Sequence, residues 1–241
     1  MTQAIQKKLN DSAFARWTAL ILVALTMFFG YMFVDVLSPL QNMLESTRGW
    51  SPTIFGLYGG SEFILNVCGF LLVAGIILDK MGVRFTGILS ASLMVLGAGI
   101  KFYGLSNYFY EGGFGYEFLS SFLTDIPASA KLACLGFMVF GCGTEMAGVT
   151  VSRAIVKWFT GKELALAMGL EMAIARLGVF AVFSLSPWVA NWGGDPSVAR
   201  PVAVVGLLLC IGLLTYIAFS VMDFKLDRQT EADTPIGETE E

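Results

Sequence analysis

Glu145 and Arg176 are the side chains in this sequence best placed to do ionic chemistry. They stand in GCGTEMAGVTVSRAIVKWFTGKELALAMGLEMAIARLG, residues Gly141 to Gly178. The stretch reads as two apolar helices joined by a short charged turn, with one acid and one arginine embedded in oily sequence. A charge in such a setting is costly, so the two must pair, line a watered cavity, or alternate between those states. Other chemistry is poorly supplied. The chain has no histidine, which removes imidazole catalysis, histidine metal sites and the usual neutral-pH switch together. Cys68, Cys134, Cys142 and Cys210 all lie in apolar runs without paired spacing, and read as free thiols in place of a disulfide or zinc framework. There is no glycine-rich phosphate loop to drive transport with ATP, and nothing points to nucleic acid. No cofactor or metal is expected, and no enzyme activity.

The elements that carry these charges are membrane helices. Hydrophobic residues make up 56% of the 241 residues and charged residues only 14%, about half the charged fraction of a soluble domain. The first sixteen residues are polar. The run from Trp17 to about Leu40 is too long for a signal-peptide core and is followed by further apolar runs, so it reads as a retained first span. Five more follow at Ile54–Leu78, Phe85–Tyr103, Leu132–Phe159, Leu164–Trp192 and Val198–Met222. Each has the roughly 20 residues that cross ~30 Å of hydrocarbon as helix. Helix is favoured because backbone polar groups must be satisfied internally in lipid. The expected fold is all-α, a six-helix transmembrane bundle over 17–222. A cytoplasmic segment (1–16) precedes it, and an acidic tail without structure (223–241) follows.

Positive charge sets the expected orientation. With the N-terminus inside, the inner segments hold Lys7, Lys8, Arg16, Lys80, Arg84, Lys157, Lys162, Lys225 and Arg228. The outer ones hold Arg48, Lys131 and Arg200, with Lys101 near the outer end of the third span. That asymmetry predicts both termini in the cytoplasm. The long connection from Gly104 to Ala130 is then external. Glu145 lies fourteen residues before Phe159 and Arg176 thirteen after Glu163, so both rise ~20 Å above their shared turn, toward mid-bilayer.

Two motifs carry a resemblance. Gly75-Ile-Ile-Leu-Asp79-Lys80-Met-Gly82-Val-Arg84, between the second and third spans, resembles the signature loop of the major facilitator superfamily at the place where that family has it. The resemblance implies a conformational gate, with Gly75 and Gly82 allowing close approach and a tight turn, and Asp79 pairing with a cation to hold the inward mouth shut. The wording G-x-G-x-E, then W-F-x-G-K-E-L, then A-R-x-G over roughly 139–178 is similar to the lysosomal dipeptide transporter branch and its bacterial relatives. In that branch a fourth-helix glutamate and a fifth-helix arginine bind the two ends of the peptide, and Glu145 and Arg176 match them. The chemistry suits a zwitterion spanning ~7 Å, whose ammonium needs an anion and whose carboxylate needs a guanidinium fork. Where superfamily members commonly carry an arginine in the fourth helix, this chain has Phe137.

The resemblance implies an integral protein of a bacterial plasma (inner) membrane. It is expected to be a secondary transporter of a dipeptide or other zwitterion, working by alternating access between two six-helix halves, of which this is the first. The partners are then the small-molecule substrate, the lipid bilayer and a second half, and a truncated chain is the favoured account of that half's absence. A second copy or a separate chain is the alternative. Competing readings are a proton-coupled carrier of another organic anion, and a non-transporting membrane subunit. For Glu145 and Arg176 themselves, the competing reading is a salt bridge that specifies packing.

Further polar residues are candidates for the cavity or for coupling. Glu62 and Asn66 share a face of the second span at i,i+4 and fall near mid-membrane. Glu171 stands about 140° around the helix from Arg176, off its face, in a packing or coupling role. Asp35 is placed at the external mouth. Arg153 and Lys157 are expected to snorkel toward headgroups.

Overall fold

The computed structural model describes residues 8–233. Among them there is no strand, and nine α-helices follow one another: α1 (Ala13–Val34), α2 (Gln41–Arg48), α3 (Pro52–Leu65), α4 (Leu71–Leu105), α5 (Asn107–Tyr110), α6 (Tyr116–Ser120), α7 (Ala128–Phe159), α8 (Leu164–Ala190) and α9 (Ala199–Asp233). A π-helical turn, Asn66–Phe70, joins α3 to α4. Five helical stretches are long and apolar enough to cross a membrane, and the one from Pro52 to Leu105 runs 54 residues, twice what one crossing needs.

That stretch makes two crossings. Trp50 donates to Ser129, Tyr58 stacks on Phe137, and Asp79 pairs with Arg153. Residue numbers rise together in these contacts, so the 52–81 arm runs parallel to α7. Beyond Gly82 the order inverts: Gly143 abuts Ser90, Gly136 abuts Lys101, and Gly104 abuts Leu132. The chain therefore reverses at Gly82, whose φ of 75° and ψ of 175° lie where only glycine is at ease. Six passes result, as the hydropathy predicts.

Small residues set how the passes pack. A Cβ on Gly136 would lie 2.6 Å from the Lys101 backbone nitrogen, and one on Gly143 2.6 Å from the Ser90 carbonyl oxygen. Backbone contact of this kind lets helices associate in lipid, where the hydrophobic effect between them is absent. α1 is held between α8 and α9. Gly178 of α8 meets the Phe28 carbonyl, and the Thr26 hydroxyl donates to the Gly212 carbonyl of α9 at 2.9 Å.

The two ends of the bundle are built differently. At one, the cap end, α2, α5 and α6 and their loops lie over the helices. Tyr103, Phe109 and Tyr116 meet edge to face there, so much of the Gly104–Ala130 connection is a small folded cap. At the other, the turn end, the chain's N-terminal segment clasps the α7–α8 turn. The Arg16 guanidinium meets Glu163 at 3.1 Å, and Lys162 meets Asp11 at 2.6 Å.

The expected unstructured tail needs correcting. α9 continues without a break from the membrane segment to Asp233, and Asp223 is completely buried. The polar residues there are held by ion pairs in place of apolar burial, so hydropathy alone misses them. Residues 1–7 and 234–241 of the expected terminal segments lie outside the described residues.

Candidate functional site

One stripe of α7 organises the interior. Gly141, Glu145, Gly148 and Ser152 recur at spacings of three and four, so they share a face. At its upper part Gly141 touches the Glu62 backbone carbonyl and side chain, which puts Glu62 of α3 one turn from Glu145 toward the cap end. Glu62 is 4% exposed and Glu145 half-buried. The two carboxylates act on each other electrostatically, and Lys101 attracts Glu62. Asn66, one turn below Glu62 in the π-helical turn, donates from its side-chain nitrogen to the Glu62 carbonyl at 3.3 Å. Its own side-chain oxygen is buried without a partner. The turn breaks the α-helical ladder beside these residues, and Gly69 carries a φ of 110° within it.

The lower part of the stripe borders a cavity of about 260 Å³. Gly148 and Ser152 form one wall, Met27 and Tyr31 of α1 another, and Glu171 and Arg176 of α8 a third. The Arg176 guanidinium lies 4.9 Å from the centre of the Tyr31 ring, a cation–π arrangement that holds it while leaving its edge donors free. No ion pair within 4.0 Å joins Glu145 to Arg176 among the described residues. The two charges stand on neighbouring helices without neutralising each other. Glu171 is buried and Arg176 exposed, yet both border this cavity. They remain on different flanks of α8, as the 140° between them requires. A cavity wedged between α1 and α7 collects side chains from both flanks of α8.

A completely buried charge, Lys101, is not marked as such by the sequence. Lys101 is 0% exposed, and its ammonium has no hydrogen-bond partner. It sits among three rings, 4.4 Å from the centre of Phe33, 4.9 Å from Tyr58 and 4.4 Å from Phe137. Tyr58 and Phe137 are stacked at 4.7 Å. Phe137, where an arginine is common in the family that the sequence resembles, thus has a cation over its ring, supplied by the neighbouring helix. Tyr31 was also overlooked. The available signal was aromatic residues at compatible depths on α1, α3 and α7.

At the turn end every prominent charge is answered. Asp79 forms an ion pair with Arg153. Asp223 of α9 accepts from Lys157 at 2.8 Å and from the Trp158 indole at 3.0 Å. Asp227, one turn on, meets Lys157 at 2.6 Å and Arg84 at 3.3 Å. Arg153 and Lys157 therefore bind acids on neighbouring helices and do not merely reach for headgroups. Gly82 makes the reversal, Lys80 is exposed, and Gly75 has open space where a Cβ would stand, so its expected role in close helix approach is not met within this chain.

Six apolar passes, with charges in the middle and a cluster of ion pairs at one end, define an integral multi-pass membrane protein of the carrier type. Comparison with known families makes this specific. The model of the Major Facilitator Superfamily matches residues 20–239, and the chain belongs to that family. Among curated relatives, the lysosomal dipeptide transporter MFSD1 of Pongo abelii is 24% identical over 225 residues, which is 88% of this chain and 43% of that protein. The proteins of the same name from Bos taurus and Gallus gallus are 31% and 35% identical over 101 and 81 residues. These cover 39% and 34% of this chain and 22% and 18% of theirs. The chain thus spans less than half the length of the relatives it matches.

Proposed function

We propose that this chain forms one wall of a secondary transporter for a small zwitterion, with a dipeptide the best fit. The observation that carries the reading is the unneutralised pair. Glu145 and Arg176 stand near one depth on neighbouring helices, close to a cavity, with no ion pair between them. A permanent packing bridge would have closed. Glu145 is assigned the substrate ammonium and Arg176 its carboxylate, the guanidinium being pre-set by Tyr31. Glu62 and Asn66 line the ammonium side, and Glu171 the carboxylate side. The names of the MFSD1 relatives support a dipeptide.

The turn end is assigned as the gate. Gly75, Asp79, Lys80, Gly82 and Arg84 form its loop, and Asp79 with Arg153 its latch. The excess of positive residues supports placing this end, with both termini, on the cytoplasmic side, and the resemblance supports a bacterial inner membrane. Alternating access requires a second six-helix half, whose contact we assign to exposed apolar residues of the second pass and α8. Val67 on the second pass is 85% exposed and Phe180 on α8 is 74% exposed. That half is the continuation of a longer chain, a second copy, or a separate protein.

The test is uptake of a labelled dipeptide into vesicles holding the transporter that carries this chain, with unlabelled competitors. Dipeptides should compete strongly, and single amino acids and simple carboxylates weakly. Carboxylates competing as well as dipeptides would favour the second reading, a proton-coupled carrier of an organic anion. The adjacent acids Glu62 and Glu145 support that reading as the proton site. A membrane subunit without transport activity is the outcome if no solute of either class is taken up.

A further inference from the structure

Two apolar grooves along the third pass, the part of α4 beyond Gly82, share no residue with the cavity above. One, of about 720 Å³, lies between that pass and α7 beneath the cap. Leu96 and Tyr103 of the pass, Leu135 of α7, and Phe118 and Leu119 of the cap line it. The other, of about 270 Å³, lies between the pass and α9, against Phe102, Gly206, Leu207 and Cys210. Val95 and Gly99 border both grooves, so the two meet across the pass. Gly99 is exposed, and nothing lies within 4 Å of where its Cβ would stand. A glycine weakens a helix, and neither a turn nor a close helix approach accounts for this one. It leaves the dip in which the grooves join.

The rim of the grooves indicates what fills them. Lys131 precedes Leu135 by four residues on α7, and Arg200 precedes Ala203 and Leu207 by three and seven on α9. Each cation therefore stands on the face that lines its groove, one turn nearer the cap end. From Arg200 to Cys210, ten residues of helix cover ~15 Å, the hydrocarbon depth of one leaflet. The Tyr103 hydroxyl donates to the Phe114 carbonyl at 3.2 Å, and the Lys131 ammonium donates to the Leu119 and Phe122 carbonyls. These bonds tie the cap over the larger groove and hold the ammonium at its rim. An ammonium has three donors, so one is left for an acceptor from outside the chain. The Arg200 guanidinium is spent on the carbonyls of Ala190, Trp192 and Asp195, and contributes charge alone. Phe114 and Phe118 stand exposed on the cap, which is unfavourable in water and favourable against acyl chains.

We propose that this face binds one diacyl phospholipid of the cap-end leaflet, with an acyl chain in each groove and the phosphate on Lys131. The two chains straddle the third pass at Gly99. The lipid then joins the cap, the third pass and α9 into one unit. The proposal needs only the membrane placement of the bundle and is independent of the zwitterion reading.

The experiment labels the purified transporter that carries this chain, in detergent, with phosphatidylglycerol bearing a photoreactive diazirine at the end of one acyl chain. Mass spectrometry of the digest should find the label concentrated at residues 95–99 and 206–210. Val221 and Phe224, exposed on α9 nearer the turn end, should carry little. Unlabelled phosphatidylglycerol and phosphatidylethanolamine should displace the probe alike. Diacylglycerol, which lacks the phosphate, should compete about tenfold more weakly, the scale of one charge-assisted hydrogen bond. Lys131→Gln keeps a donor for the cap carbonyls and removes the charge, so the three competitors should become equal. Gly99→Phe places a ring in the dip and should lower labelling about tenfold, equivalent to losing contact with about two methylenes of the chain. Its melting temperature without lipid should be no lower than the parent's, because a helical glycine is replaced where space is open. Label spread evenly over all exposed apolar residues would overturn the proposal. So would parental labelling in Gly99→Phe, or diacylglycerol competing as well as the phospholipids in the parent. A dimeric protein without label on this face would assign the grooves to a second copy and overturn it too.

Discussion

The charges at the turn end and the charges at mid-depth obey opposite rules. At the turn end Asp79, Arg84, Arg153, Lys157, Asp223 and Asp227 are all joined in ion pairs across four passes. At mid-depth Glu145 and Arg176 stand open, and nearer the cap end Lys101 is caged by rings. Lipid and protein penalise an unpaired charge most in the middle, where these ones are left unpaired. The ion-paired charges hold the structure together, whereas the unpaired ones contribute no ion pair to it. Paired charges stabilise one conformation, and the open ones are those we propose for the substrate.

Substitutions should separate the two regions by stability, from the largest effect to the smallest. Asp223→Ala leaves Lys157 and the Trp158 indole short of a buried acceptor, and should destabilise the purified protein by about 3 kcal/mol in an unfolding titration. Asp227→Ala removes a half-exposed partner of Arg84 and Lys157 and should cost about 1 kcal/mol in the same titration. Arg153→Ala breaks a solvent-exposed pair with Asp79, so its stability cost should be under about 1 kcal/mol. Its larger signature should be functional, as faster labelling of a cysteine placed at the turn-end mouth. Arg176→Ala and Glu145→Gln should change stability least, within about 0.5 kcal/mol, because neither breaks an ion pair. A loss of 2 kcal/mol at either site would erase the distinction.

What the sequence discloses and what it hides follow the same division. The six passes are legible because lipid demands about twenty apolar residues per crossing, and the reversal at Gly82 because its turn carries glycine in a charged loop. The similar depth of Glu145 and Arg176 is legible because helical rise is fixed and both are counted from one turn. Lys101 is not, because its burial depends on α4 approaching α7 through Gly136, and a lone lysine near a helix end reads as snorkelling. The helix beyond Met222 escapes hydropathy because it is held by charge. Asp223 and Asp227 at i,i+4 were the available sign, matching Arg84 and Lys157 across the bundle. The shared cavity of Glu171 and Arg176 depends on where α1 and α7 part, which helical periodicity does not contain.

The central claim is that Glu145 and Arg176 are reserved for the two ends of one substrate. It is tested most directly by measuring dipeptide uptake and melting temperature together for the parent, Glu145→Gln and Arg176→Ala. The account predicts that each variant melts with the parent and loses at least about tenfold in uptake, the scale of one lost charge-assisted hydrogen bond. Uptake at parental rates in both variants, at equal amounts of folded protein, would contradict it.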